Sequence, residues 1–264
     1  MTSAGSAGLD KPWTRSTAAC VGRNLLICGV FGSIIDTYAS VDVVGDQHLE
    51  LVHGPAIFVA NHCSHVDTPL LLRSLPARLR HRTAVAAAVD YFYRKPLLAV
   101  AVSLAFGTVP LERRSPGGGI HAAEHIERLL DNGWNIVVFA EGTRSRDGRV
   151  GVLRSGAAVL AARHGAPIVP VHISGTHRAM PPGRKWMGRP DPDGRRARHE
   201  IRVSFGVPIP VGRDEEPLEA MEDVRLFMVA SGAETTPDPR LTDRRTTAAE
   251  NLAETASAAH GQTV

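Results

Sequence analysis

Residues 56–67, AIFVANHCSHVD, join a short apolar run to a cluster of polar side chains. The run Ala56–Ala60 contains no polar or charged residue, which is typical of a strand buried on both faces of a parallel sheet. A helix is predicted to begin near Thr68, with Pro69 at its first position, where the fixed φ of proline fits. The polar residues therefore lie just beyond the carboxyl end of a strand, where open α/β sheets bind their ligands.

Strand and helix continue to alternate beyond this segment. Further elements are predicted as strands at Asn135–Phe139, Pro167–Ile173, Ile201–Phe205 and a stretch ending at Gly107–Leu111, with helices at His121–Leu130 and Ser155–Arg163. Earlier in the chain, alternation at Val41 and Val43 and a turn at residues 45–46 predict a hairpin within residues 40–52. This order predicts the α/β class, with a mostly parallel central sheet flanked by helices.

The chain is expected to divide into four parts. Residues 1–12 are expected to form a disordered lead, residues 13–36 an N-terminal amphipathic helix, residues 37–212 the main domain, and residues 213–264 an acidic tail outside the packed core. The tail is expected to be largely disordered after about residue 236, because few large apolar residues follow that point.

The apolar face of the N-terminal helix is expected to contact either lipid or the protein core. Its uncharged run Asn24–Ile35 has twelve residues, fewer than the roughly 20 that a membrane-spanning helix needs. Apolar residues from Val21 to Ile35 recur on one stripe, and Trp13 precedes them as an interfacial anchor would. Because periodicity does not distinguish lipid from protein, the helix is expected either to lie in the membrane interface or to pack on the core.

Length and cysteine content exclude several classes of protein. A chain of 264 residues, 43% of them hydrophobic, buries enough surface to fold as one domain without disulfides or a structural metal. Cys20, Cys28 and Cys63 are odd in number and lack the CxxC spacing of zinc modules. We therefore expect reduced thiols, a cytoplasmic location and no metal site.

The net charge of +3 combines a basic body with an acidic tail. Residues 1–213 carry 26 Lys and Arg against 16 Asp and Glu, a balance of +10, whereas residues 214–264 carry 4 against 11, a balance of −7. A basic body favours phosphate-bearing partners, although 27 Arg against 3 Lys also fits a bias in genome base composition.

Residues 178–202 hold eight of the basic residues, with Trp186 among them. This segment is interpreted either as a contact for anionic lipid or an acidic carrier protein, or as a solvated loop. No recognisable nucleic-acid-binding fold accompanies it, so we expect no nucleic-acid partner.

The polar cluster at residues 61–67 combines a base with a carboxylate. On one continuous helix, His62 and Asp67 would point about 140° apart, but across a turn from strand to helix they can meet. The carboxylate would then accept one ring N–H and fix the tautomer, which leaves the other nitrogen free as a general base. The alternative is that the pair forms only a structural hydrogen bond.

A second polar cluster, FAEGTRS at residues 139–145, follows another predicted strand. Gly142 permits a close approach of the backbone, Thr143 offers a hydroxyl, and Arg144 supplies a planar fork that suits phosphate. These are also common residues of a solvated turn. A third candidate, Arg113, ends an apolar strand and points either into the same crevice or into solvent.

Four short blocks together resemble the glycerolipid acyltransferase family, which includes the 1-acylglycerol-3-phosphate acyltransferases. In chain order they are NHCSHVD at residues 61–67, GTVPLER at 107–113, FAEGTRS at 139–145 and IVPV at 168–171. The resemblance covers roughly residues 36–210. It departs from the family's pattern at Ala140, where the family has proline; the change loosens the turn slightly but removes no chemical group.

The resemblance implies an O-acyltransferase that moves a fatty acyl chain from acyl-CoA or acyl carrier protein to a hydroxyl of 1-acylglycerol 3-phosphate. It implies that His62 is the general base, that Asp67 orients it and that Pro170 supports the site, with no cofactor and no acyl-enzyme intermediate. The residues implied to bind the acceptor's glycerol phosphate are Arg113, Glu141, Gly142, Thr143 and Arg144.

Several alternatives remain open from the sequence. Cys63 is an alternative covalent nucleophile, and His65 is an alternative base. The acceptor is alternatively glycerol 3-phosphate, another lysophospholipid or a specialised lipid. A hydrolase or a non-catalytic membrane-binding relative is a further alternative, although no GxSxG or HExxH motif is present. An enzyme that acts on membrane lipid is expected to be peripheral on the inner face of the cell membrane.

Overall fold

A seven-stranded sheet lies at the centre of the computed structural model, which describes residues 12–88, 103–111, 118–190 and 197–240. The strands are β1 Ala39–Val44, β2 Ile57–Ala60, β3 Thr83–Ala88, β4 Thr108–Leu111, β5 Asn135–Phe139, β6 Ile168–Ser174 and β7 His199–Phe205. Their spatial order is β1-β7-β6-β2-β5-β3-β4. Neighbouring strands are parallel except β6 and β7. The predicted α/β class with a mostly parallel sheet is confirmed.

Helices cover both faces of this sheet. They are α1 Thr17–Leu25, α2 Gly32–Tyr38, α3 Asp67–Ser74, α4 Gly118–Asp131, α5 Gly156–His164 and α6 Pro217–Ala230. Shorter helical segments are Pro12–Arg15, Leu26–Phe31, Asp46–Leu51, Ala77–Arg80 and Thr176–Ala179. The predicted helix near Thr68 begins one residue earlier, at Asp67, so Pro69 is its third residue.

The two faces of the sheet form two separate apolar cores. Along β2, Phe58 and Ala60 contribute to one core and Ile57 and Val59 to the other, as the two-residue period of a strand requires. The first core is covered by the N-terminal helices and α3, and the second by α4, α5 and α6. Because β2 is buried on both faces, its whole sequence is apolar.

The predicted hairpin within residues 40–52 is wrong. After β1, Gly45 adopts a left-handed conformation with φ of 77°, and the helical segment Asp46–Leu51 follows instead of a second strand. β1 pairs in parallel with β7, with Val41 opposite Ile201. The local signals of a hairpin were present, but the partner of β1 comes from a distant part of the chain.

Strand β3 was missed by the sequence analysis. Its sequence, TAVAAA, is rich in alanine, which is uncommon in strands. It nevertheless lies between β4 and β5, where Ala84 is fully buried. Ala84 belongs to the second core, and burial of this kind is a tertiary property that local composition does not report.

The expectation that residues 213–264 lie outside the packed core is wrong for helix α6. Ala220, Met221, Val224 and Met228 of this helix are buried in the second core. Its acidic residues lie on the remaining surface of the helix, so a negative local charge did not exclude an apolar face. Residues 241–264, like the lead at residues 1–11, lie outside the described residues.

The N-terminal helices run without interruption from Thr17 to Tyr38, 22 residues that are long and apolar enough to cross a membrane by length and composition. This length exceeds the uncharged run of the sequence analysis because the helix continues through two charged residues. Arg23 is buried and donates to the carbonyl oxygens of Leu104 at 3.0 Å and Thr14 at 2.6 Å. Ile27 and Ile35 are buried in the protein, while other apolar side chains of the segment are exposed: Trp13, Val21, Leu25 and Val30.

Candidate functional site

The loops that follow β2 and β5 meet at one edge of the sheet. β2 and β5 are parallel neighbours, so their carboxyl ends lie side by side. The Ser145 N–H donates to the His62 carbonyl oxygen at 2.8 Å, which joins the two loops directly. Both loops line a cavity of about 1160 Å³. The first two polar clusters of the sequence therefore form one site.

His62 and Asp67 are in contact across the turn that the sequence predicted. His62 Nδ1 lies 2.9 Å from Asp67 Oδ2. Asp67 is fully buried at the first residue of α3, where the helix dipole favours a carboxylate. The same Oδ2 accepts the backbone N–H groups of Cys63 at 2.8 Å and Ser64 at 2.7 Å.

These contacts determine what the imidazole can do. With Asp67 as acceptor, Nδ1 carries the ring proton and Nε2 is the basic nitrogen. The His62 ring stacks on Phe139, with centroids 4.1 Å apart and planes 22° apart. Its side chain is 19% exposed and lines the cavity. The arrangement suits a base that is held in one orientation and open to a ligand on one side.

Glu141 makes contacts that differ from those implied by the resemblance. Its Oε1 accepts the His62 N–H at 2.8 Å, and its Oε2 accepts the Gly151 N–H at 2.9 Å. The residue is buried, and burial raises the pKa of its carboxyl group. Both oxygens bind backbone groups, so Glu141 connects two loops of the site, and it is not among the described residues that line the cavity.

Gly142, Thr143 and Arg144 border the cavity. Gly142 has a φ of 74°, and a Cβ at this position would lie 2.8 Å from Arg154 Nε, so the turn needs glycine. Thr143 is exposed. Arg144 is half-buried, and its Nη1 lies 2.5 Å from His65 Nε2.

His65 is a poor alternative to His62 as the base. Burial and the neighbouring Arg144 charge lower its pKa to about 4. The ring is therefore neutral at physiological pH and its Nε2 accepts a hydrogen bond from the Arg144 guanidinium. His65 therefore serves to orient Arg144.

Cys63 is equally unsuited to act as a nucleophile. The residue is buried, and its Sγ lies 3.2 Å from the Thr176 hydroxyl. Burial, followed by the Asp67 charge, raises the pKa of the thiol to about 12. The nucleophilic thiolate is therefore scarce at neutral pH.

Arg113 lies outside the described residues, so the structure does not place it. Strand β4, which precedes it, pairs with β3 on the side away from β5. Pro170 lies in β6 opposite Val59 of β2, and its carbonyl oxygen accepts the Gly206 N–H at 2.8 Å.

Two further residues of the site were given no role by the sequence analysis. Asn61 donates through Nδ2 to the Ile173 carbonyl at 2.9 Å and accepts the Ile173 N–H at 2.8 Å, which anchors the start of the His62 loop to β6. Arg154 lines the cavity beside Gly142. Asn61 was visible as part of a motif, whereas nothing in the sequence connects Arg154 with residues twelve positions earlier.

The rest of the cavity is mostly apolar. Its lining includes Ile34 of α2, Phe106, Val138 of β5, Leu160 of α5 and Met180. These side chains lie far apart in the sequence and come from both faces of the sheet. A site with polar groups at one side of an apolar cavity suits an amphiphilic ligand.

Comparison with known proteins assigns the family. Residues 40–174 match the family model named Acyltransferase. The chain belongs to the Acyltransferase family. The resemblance seen in the four sequence blocks is thereby confirmed at the level of the family.

Several acyltransferases of known name are similar in sequence. The chain is 33% identical over 146 residues to 1-acyl-sn-glycerol-3-phosphate acyltransferase BAT2, chloroplastic, of Brassica napus, covering 55% of this chain and 40% of that protein. It is also 33% identical over 146 residues to 1-acyl-sn-glycerol-3-phosphate acyltransferase LPAT1, chloroplastic, of Arabidopsis thaliana, covering 55% of this chain and 39% of that protein. The similarity thus spans less than half the length of these relatives.

The fold is shared with an acyltransferase of known structure. The crystal structure of the 1-acyl-sn-glycerophosphate (LPA) acyltransferase PlsC from Thermotoga maritima superposes with a TM-score of 0.62, at 23% identity, covering 86% of this chain and 85% of that chain. This likeness supports the α/β acyltransferase fold.

Proposed function

We propose that this protein is an O-acyltransferase that moves a fatty acyl chain to the free hydroxyl of 1-acylglycerol 3-phosphate and forms phosphatidate. The printed names of its relatives support this substrate class. The observation that carries the proposal is the His62–Asp67 pair beside Arg144, at one side of a mostly apolar cavity. The proposed donor is acyl-CoA or acyl carrier protein, used as a substrate, and no cofactor enters the step.

In the proposed reaction, His62 Nε2 removes the proton from the acceptor hydroxyl. The oxygen attacks the thioester carbonyl carbon, the C–S bond then breaks, and the imidazolium gives its proton to the leaving sulfur. Asp67 stabilises the imidazolium through Nδ1–H, at a distance of 2.9 Å. A positioned base of this kind contributes roughly 10²- to 10⁴-fold in rate.

Binding of the acceptor's phosphate is assigned in this proposal to Arg144 and Thr143, with Arg113 as a further ligand from the strand β4 block. Arg144 is oriented by His65, so its guanidinium is held beside the base. Fixing the phosphate places the hydroxyl near Nε2, and such positioning supplies a large part of the rate enhancement. Each methylene of the acyl chain buried against the cavity wall adds about 0.8 kcal/mol to binding.

The proposed location is the cytoplasmic face of the cell membrane, with the protein bound peripherally. Trp13, Val21, Leu25 and Val30 are exposed along the N-terminal helices, which is unfavourable in water and favourable at a lipid interface. Helix α2 and Trp186 both border the cavity, so a lipid substrate would reach the site from that side.

A panel of acceptors and donors tests the proposed function. The full chain would be incubated with acyl-CoA or acyl carrier protein donors and with 1-acylglycerol 3-phosphate, glycerol 3-phosphate, lysophosphatidylcholine or monoacylglycerol, and products identified by mass spectrometry. We expect phosphatidate from 1-acylglycerol 3-phosphate, and its loss in His62→Ala. Absence of acyl transfer to every phosphate-bearing acceptor would overturn the proposal, and full activity of His62→Ala would overturn the assignment of the base.

A further inference from the structure

Arg154 lies against the turn that carries the second polar cluster. A Cβ on Gly142 would be 2.8 Å from Arg154 Nε and 3.2 Å from Cζ, so the guanidinium rests where a side chain would otherwise stand. Arg154 lines the same cavity as His62 and Arg144. Its place beside the site follows from the absence of a side chain at Gly142.

The charge of Arg154 is not neutralised by a carboxylate among the residues that the structure describes. By contrast, Arg163, which also lines the cavity, pairs with Glu127 at 3.1 Å. Arg149 of the same loop pairs with Glu234 at 3.2 Å. Arg154 is exposed towards the cavity and is available to an anionic ligand.

The backbone that carries Arg154 is fixed to the site at several points. Its N–H donates to the Ala140 carbonyl oxygen at 3.0 Å. The Leu153 carbonyl accepts Arg240 Nη2 at 2.7 Å, and the Gly151 N–H donates to Glu141 at 2.9 Å. Because this backbone is already fixed, binding a ligand through Arg154 requires ordering of the side chain but not of the loop.

We propose that Arg154 is a further arginine for the acceptor's phosphate and that it acts together with Arg144. The inference rests on the proposed function and names a specificity-determining residue for it. A phosphate monoester carries a charge of about −1.5 to −2 and three acceptor oxygens at neutral pH, more than one guanidinium satisfies. Arg144 follows the Gly142–Thr143 turn in sequence and Arg154 lies against its glycine, so the turn brings together two cations that are ten residues apart in the chain.

Two variants and a matched control test this assignment. Arg154→Met removes the charge and keeps much of the side-chain volume, and Arg154→Lys keeps the charge without the fork. Arg149→Met removes the same charge from the same loop, where the side chain pairs with Glu234 at the surface. For each protein, kcat and KM would be measured with 1-acylglycerol 3-phosphate, and the Kd of glycerol 3-phosphate would be measured by calorimetry without an acyl donor.

We expect Arg154→Met to raise KM and the glycerol 3-phosphate Kd by about 10- to 100-fold while kcat changes less, as for loss of a charged hydrogen bond to phosphate. Arg154→Lys should be intermediate, and Arg149→Met should match the wild type. A KM and Kd for Arg154→Met within about twofold of Arg149→Met, or a loss of kcat at unchanged Kd, would overturn the inference. Failure of the wild type to acylate 1-acylglycerol 3-phosphate would instead count against the proposed function, because the Kd series tests the phosphate site by itself.

Discussion

Asp67 uses one carboxylate oxygen, Oδ2, as the acceptor for three N–H groups. Two come from the backbone of Cys63 and Ser64 and the third from the His62 ring. The carboxylate therefore holds the loop in place and also fixes the tautomer of the base. A single buried residue thus links the folding of the strand-to-helix turn with the chemistry proposed at its end.

The first prediction concerns Asp67→Asn. The amide can donate to Nδ1, which would move the ring proton to Nε2 and remove the basic nitrogen from the cavity. We expect kcat to fall by roughly 10²- to 10⁴-fold with a smaller change in KM, measured by steady-state kinetics. Asp36→Asn is the control, since Asp36 pairs with Arg73 and is half-exposed. A fall in kcat no larger than that of the control would contradict the orienting role of Asp67.

The second prediction concerns the cysteines and follows from the raised pKa of Cys63. Because that pKa is about 12, the thiol stays protonated at pH 8 and should resist iodoacetamide. Cys28 is exposed and should be alkylated in the native protein. Peptide mass spectrometry after timed labelling measures both sites, with urea-unfolded protein as the control in which both react. Rapid labelling of native Cys63 would reopen its assignment as a nucleophile.

At the scale of elements, the site is built from loops that are joined by backbone hydrogen bonds. Glu141 holds the His62 loop and the loop at Gly151 through its two carboxylate oxygens. Asn61 joins the His62 loop to β6 through two bonds to Ile173. The orientation of the base therefore depends on residues that do not face the cavity.

The third prediction concerns Glu141→Gln. The amide can still accept one N–H, but its NH₂ group faces the other backbone N–H, so one buried donor loses its partner. We expect a loss of about 1–3 kcal/mol in the free energy of unfolding, measured by urea denaturation, together with a lower kcat.

Glu234→Gln provides the control for this prediction, because Glu234 is exposed and its pairing with Arg149 is at the surface. Its free energy of unfolding should stay within about 0.5 kcal/mol of the wild type. An unchanged stability of Glu141→Gln would mean that Glu141 does not connect the two loops.

At the scale of the whole molecule, the acidic and basic segments of the chain lie on different parts of the fold. Helix α6, which lies in the acidic part of the chain, packs on the second core, whereas α2 and Trp186 lie on the side of the cavity. Trp186 donates to the Tyr38 hydroxyl at 3.2 Å, and Arg189 lies 5.6 Å from the centre of the Tyr38 ring. This basic and aromatic surface adjoins the cavity and suits anionic lipid headgroups.

The fourth prediction concerns membrane binding by this surface. The triple variant Arg184→Gln, Lys185→Gln and Arg189→Gln should bind vesicles that contain phosphatidylglycerol more weakly, by about 1 kcal/mol for each cation removed. Flotation across a salt series measures the binding, and added salt should reduce the difference between variant and wild type.

A second triple variant, with the exposed residues Arg82, Arg128 and Arg213 changed to Gln, removes the same charge elsewhere on the surface. It should keep most of the wild-type binding to vesicles. Equal binding by the two triple variants would contradict a membrane contact at residues 184–189.

Local sequence was sufficient for some elements and not for others. β5 was predicted at its observed bounds because the run IVVF is apolar and turn residues flank the segment. The predictions for β1 and β3 failed because the pairing partners of these strands are distant in sequence and their composition is ambiguous. Helix α6 was missed because the acidic composition of its segment was given more weight than the apolar residues on its buried face.

The sequence by itself determined the alternation of strands and helices, the apolar run of β2 and the pairing of His62 with Asp67, because each depends on residues close together in the chain. Only the tertiary structure showed that Glu141 connects two loops, that Cys63 is buried and that Arg154 lies beside Gly142. Those properties depend on strands and loops that meet across the sheet, and the distances between them are set by packing and not by spacing along the chain.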